Sequence, residues 1–129
     1  AAQGVFLVIL ADTSVWIDHF RQPLPHLEAL ITEGTLCNHP FVTGELVVGA
    51  IHIRHRLIAA LRALPAIEQV GEAQFYGFIE HHRLNGLGLG FVDLHLLAAA
   101  KAAPGVLLWT RDKRLANQAD VLGLGYSAG

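Results

Sequence analysis

Residues Val5 to Ala11 form an unbroken apolar run, rich in β-branched side chains, that stops abruptly at Asp12-Thr13-Ser14. A run without a polar side fits a strand covered on both faces, as in a parallel sheet. It is far shorter than the ~20 residues a membrane span needs. A second strand of the same kind is expected at Val106–Thr110, with Arg111-Asp112-Lys113-Arg114 just beyond its carboxyl end.

Helical spacing fills most of the chain between these strands. Leu24, Leu27, Leu30 and Ile31 share one face, with Gly34 placed to end that helix. Thr35–Cys37 is a weak strand candidate. A long apolar helix is expected to begin near Glu45 and run from Leu46 to Leu64, bent or divided at Gly49 and closed by Pro65. Ala66–Val70 reads as a brief strand and Glu72–Leu84 as a further helix. Gly86, Gly88 and Gly90 mark a loop. The nearly uncharged Leu94–Ala100 suits a central buried helix, and a last helix is expected near Leu115–Val121. Strands alternating with helices give an α/β fold with a mostly parallel sheet, in one domain spanning residues 1–129.

Composition agrees with a packed domain, since 53% of the 129 residues are hydrophobic and only 16% are charged. Nine Lys and Arg against eleven Asp and Glu leave a formal charge of −2, so no basic arm announces a nucleic-acid partner. A nuclease, whose centre needs acids, stays open. Cys37 is the sole cysteine and no signal peptide is visible, which leads to the expectation of a reducing cytoplasm. With no methionine in the sequence, residues 1–4 are expected to be expression or processing residue.

Four acids stand where a charge-avoiding core would not place them. Asp12 ends the first strand, Glu45 borders a strongly apolar helix, Asp93 precedes Leu94–Ala100, and Asp112 follows the second strand. In parallel sheets, ligands bind outside the carboxyl ends of the strands. Each acid has an ordinary structural reading, as helix cap, macrodipole partner or turn former. Taken together they suggest a shared hard cation, Mg²⁺ or Mn²⁺, and metal-assisted phosphodiester hydrolysis. Arg111, Lys113 and Arg114 could meet phosphates beside it. The pairs His52/His55 and His81/His82 lack further ligands for zinc, and His95 reads as a core histidine.

The stretches Ala11-Asp12-Thr13-Ser14-Val15-Trp16, Thr43–Gly49, Gly90–Ala100 and Leu108–Leu115 resemble, in order and spacing, those of PIN-domain ribonucleases, particularly VapC-type toxins. The resemblance runs from about Leu10 to the carboxyl end. It implies a three-layer α/β/α PIN-like domain whose Asp12, Glu45, Asp93 and Asp112 surround one or two Mg²⁺ or Mn²⁺ ions. Ser14 and Thr110 match hydroxyl positions beside those acids. It also implies RNA as substrate, a VapB-like antitoxin, and a homodimer with a larger toxin–antitoxin assembly open to it. The apolar surplus of Leu24–Ile31 and Leu46–Leu64 would suit such contacts. Two alternatives are a catalytically silent PIN-like module that binds RNA or protein, and a phosphotransfer domain using Asp12. Ser14, standing where the latter would want a second acid, weighs against it.

Overall fold

The structure is a computed structural model and describes residues 7–49 and 55–128. Its sheet has three parallel strands, β1 (Val8–Ala11), β2 (Leu36–Cys37) and β3 (Val106–Trp109), in the order β2-β1-β3. β1 is therefore central. Ile9, Leu10 and Ala11 are all buried, which explains why its sequence shows no alternation. Val8 stands opposite Val106 and Ala11 opposite Trp109, so the carboxyl ends of β1 and β3 lie side by side.

Both outer strands are extended by short backbone strips. Asn38 N–H donates to Pro65 O and Ile67 N–H to Asn38 O beyond β2, reducing the expected strand at Ala66–Val70 to one bridge. Leu108 N–H donates to Leu124 O and Tyr126 N–H to Leu108 O beyond β3. Such strips occupy edge groups that would otherwise remain open to another chain.

Seven helices are defined among the described residues: α1 (Thr13–Arg21), α2 (Pro25–Glu33), α3 (Pro40–Val48), α4 (His55–Ala63), α5 (Glu72–His82), α6 (Phe91–Ala102) and α7 (Lys113–Val121). α1 packs on β1 and α3, α2 on β2, and α6 and α7 on β3, while α5 lies on α6. Leu10, Leu27, Leu36, Leu46, Leu96, Leu97, Leu108 and Leu115 are fully buried where these elements meet. This is an α/β arrangement of helices around a parallel sheet.

Several expectations shift. The chain between Asp12 and Pro23 is helical, although its apolar spacing is irregular; its signal is Asp12 as N-cap, with Val15 and Trp16 buried one turn on. The helix expected to begin near Glu45 starts at Pro40, so Glu45 lies in its interior. His39 supplies the cap: its Nδ1 accepts from Phe41 N–H at 3.0 Å. Gly49 ends α3 rather than bending it. Much of the apolar surplus belongs to the core, including Leu27, Leu30, Leu46 and Leu61, but Val47 and Val48 stay exposed. The side chains of His52, Arg54, His55 and Arg56 lie outside the described residues.

Candidate active site

The site grows directly from strand register. Asp12 N–H donates to Trp109 O at 3.0 Å, continuing the β1–β3 pairing one residue past Ala11, and this sets Asp12 beside Thr110. Thr110 Oγ1 donates to Asp12 Oδ2 at 2.6 Å. The other carboxylate oxygen caps α1, accepting from Ser14 N–H at 3.0 Å and Val15 N–H at 3.3 Å, and from the Ser14 hydroxyl. Arg111 N–H in turn donates to Ser14 Oγ, and Asp112 N–H to Thr110 Oγ1, both at 3.0 Å. The two hydroxyls anticipated from sequence thus tie the start of α1 to the loop after β3.

Asp12 is only 4% exposed. Burial raises its pKa, and the hydrogen bonds from Ser14, Thr110 and the α1 backbone oppose that rise without cancelling it. Asp93 lies in the first turn of α6, whose N-cap is Gly90, so Asp93 is not itself the cap. Its pKa is raised to about 6, first by partial burial and then by the charges of Asp12, Asp112 and Glu45. Four acids from four separate segments therefore share one electrostatic neighbourhood.

Asp112 caps α7, its Oδ1 accepting from Leu115 N–H at 3.0 Å. Where a turn former was one expectation, Asp112 is a helix cap, and its second carboxylate oxygen lies outside the cap. Glu45 projects from α3 and accepts from Thr13 Oγ1 at 2.6 Å. Thr13 is a contact that sequence reasoning passed over, although it sits between Asp12 and Ser14. A cleft of about 330 Å³ lies between Asp93 and Asp112, bordered by Gly88, Leu89, Lys113 and Arg114. Arg111 is held instead by Asp18, Nε to Oδ2 at 2.8 Å, a partner not foreseen from sequence.

The donor set is purely oxygen, which suits Mg²⁺ or Mn²⁺ and disfavours zinc. A carboxyl raised to about 6 by partial burial, and next by three neighbouring carboxylates, fits a site completed by positive charge. Among the described residues no three such ligands already converge on a single point, so ion binding would have to draw the side chains together. His95, buried and stacked on Phe75 with ring centroids 3.8 Å apart, is a core residue rather than a base. Burial pushes the Cys37 thiol up to about 11, so it is no nucleophile.

Comparison with known proteins agrees with this arrangement. The PIN domain family model matches residues 9–121. Ribonuclease VapC32 from two strains of Mycobacterium tuberculosis, CDC 1551 and H37Rv, is 39% identical over 108 residues, covering 84% of this chain and 87% of the relative. All four acids fall inside the matched region, and the chain belongs to the PIN-domain family, in its VapC branch.

Proposed function

We propose that the protein is a metal-dependent endoribonuclease toxin that hydrolyses RNA phosphodiester bonds and is neutralised by a VapB-like antitoxin. The observation that carries this reading is the gathering of acids from separate segments: Thr110 links Asp12 to the Asp112 backbone, Thr13 beside Asp12 holds Glu45, and Asp93 and Asp112 border one cleft. In the proposal these four carboxylates hold Mg²⁺ or Mn²⁺, which would supply Lewis-acid stabilisation of phosphoryl charge and an activated water. Ser14 and Thr110 fix the orientation of the Asp12 carboxylate, and Thr13 does the same for Glu45. Lys113 and Arg114, on the cleft beside Asp93 and Asp112, meet substrate phosphates. Arg111 reaches a phosphate while anchored to Asp18.

Partner binding has its own support. Val48, Phe41 and Phe91 line a shallow groove alongside Glu45, and Val48 and Phe91 are well exposed. An apolar strip bordering an acidic centre suits an antitoxin segment or a second copy in a homodimer. No helix among the described residues is long and apolar enough to cross a membrane. We assign the protein to the cytoplasm because Cys37 is a free thiol, of the kind a reducing compartment keeps.

Cleavage of total cellular RNA by the purified protein, with Mg²⁺, Mn²⁺ or EDTA and alongside Asp12→Asn, tests the proposal. Discrete fragments that require the metal should appear, and Asp12→Asn should reduce their formation by at least 100-fold. No cleavage by folded, antitoxin-free protein under any of these conditions would overturn it.

A further inference from the structure

A second concavity adjoins the carboxylates, between β3 and the segment that follows α7. Its volume is about 600 Å³, and its walls include Trp109, Thr110, Arg111, Asp120, Tyr126 and Ser127. That size falls within the range of cavities that take small molecules. Thr110 is common to both places: it borders the concavity and donates to Asp12 at 2.6 Å. Whatever occupies the concavity therefore lies next to the reacting region.

Its chemistry divides into an aromatic wall and an acceptor. Trp109 and Tyr126 meet edge to face with ring centroids 6.0 Å apart. His26 braces both, nearly parallel to Tyr126 at 22° and hydrogen-bonded to its hydroxyl, and edge-on to Trp109 at 5.5 Å. Trp109 is buried and Tyr126 half-buried, so the accessible ring surface comes chiefly from Tyr126. Asp120, on the last turn of α7, is packed against Gly125. A Cβ there would fall 1.8 Å from Asp120 Oδ1, so only glycine at 125 leaves room for this carboxylate position.

We infer that this concavity binds one unpaired RNA base, stacked on Tyr126 and read by Asp120, with bases bearing an exocyclic amine preferred over uracil. Aromatic side chains stack on any base, which gives affinity without selection. A carboxylate can only accept hydrogen bonds, and exocyclic amines donate them. Uracil sets two carbonyl oxygens beside its single N–H, and these repel the carboxylate. Arg111 at the rim, paired with Asp18 yet half-exposed, faces the phosphate joining this base to the scissile one. The choice of RNA as ligand rests on the ribonuclease reading, whereas the cavity and its acceptor do not.

Binding of fluorescent tetranucleotides in EDTA, where a metal-dependent nuclease does not cut, tests the inference separately from catalysis. Guanosine-, adenosine- and cytidine-containing probes should bind at least 10-fold more tightly than an all-uridine probe. Asp120→Asn should bring them to within about 2-fold of the uridine probe, and Tyr126→Leu should weaken every probe about 10-fold. Thermal melts of both variants, matching the parent protein, establish that the fold is intact. Equal affinity of the parent protein for all four probes, or unaltered preference in folded Asp120→Asn, would overturn the subsite. Guanosine or adenosine monophosphate binding as tightly as the tetranucleotides would also overturn it, in favour of a free-nucleotide site. Preference among the probes without cleavage of any RNA would refute the ribonuclease reading and leave the subsite standing.

Discussion

Thr110 shows how one hydroxyl can organise a carboxylate cluster. It donates to Asp12 and accepts from Asp112 N–H, so it links two acids through one atom. Thr110→Val keeps the shape and removes both bonds, leaving Asp12 Oδ2 without its threonine donor. A buried acceptor that loses its donor costs about 1–3 kcal/mol. RNA cleavage by Thr110→Val should fall about 10-fold or more, with Thr110→Ser restoring most of it. Asp93 yields a pH prediction. An unfolded aspartate releases its proton near 3.8, whereas folded Asp93 keeps it to about 6. Between those values the folded state binds more protons, so metal-free stability falls as pH rises through this window and the penalty is complete above it. His39, lowered to about 4, contributes the opposite slope, so chemical denaturation from pH 4 to 7 should show a more negative slope of stability in the parent protein than in Asp93→Asn. An identical slope in both would remove Asp93 as a source of the decline.

At the scale of elements, the acids are delivered by helix starts and strand ends rather than by a continuous motif. Asp12 and Asp112 each leave a parallel strand and cap the following helix, so their backbone positions are fixed twice. Asp93 depends on the loop before α6, where Gly88 adopts φ +81°. A Cβ on Gly88 would lie 2.4 Å from Arg114 Nη1, so the arginine of α7 rests on the space that this glycine leaves. Gly88→Ala would strain the backbone and displace Arg114 together. It should lower stability by about 1–2 kcal/mol and weaken RNA binding, measured by thermal melting and by anisotropy with a labelled RNA. His39 performs a related service for α3. Burial, and secondarily the neighbouring His95, lowers its pKa to about 4, keeping Nδ1 neutral and able to accept from Phe41 N–H. Glu45 stands on the helix so capped.

For the whole molecule, the carboxylate cluster opposes folding and the core must offset it. Leu96, Leu97 and their buried neighbours on α6 lie against β3, so the helix that bears Asp93 is also a central packing element. A cation that binds only the folded state adds stability by mass action, about 2.7 kcal/mol at one hundred times its dissociation constant. Differential scanning calorimetry should therefore show a higher melting temperature in Mn²⁺ than in EDTA, with the difference abolished in Asp12→Asn. Equal melting temperatures for the parent protein in the two buffers would contradict a shared cation site.

Much of this protein was legible without coordinates. Buried parallel strands announce themselves because both faces are apolar, and acids at their ends stand out against that background. Gly34 and Gly49 mark real boundaries, Gly34 through its left-handed φ of +73° and Gly49 by leaving α3 in extended backbone. The helix after Asp12 was hidden because a short element with irregular apolar spacing depends on its cap and on tertiary burial of Val15 and Trp16. The start of α3 was missed because a histidine, seldom a capping residue, takes that role where it is buried. Only the tertiary structure decided the rest: β1–β3 register sets Asp12 beside Thr110, Thr13 meets Glu45 across 32 positions, and Asp18 takes Arg111. Local sequence governs dihedral preference and which faces avoid water, whereas contacts between distant side chains exist only once the sheet has set the spacing of its strands.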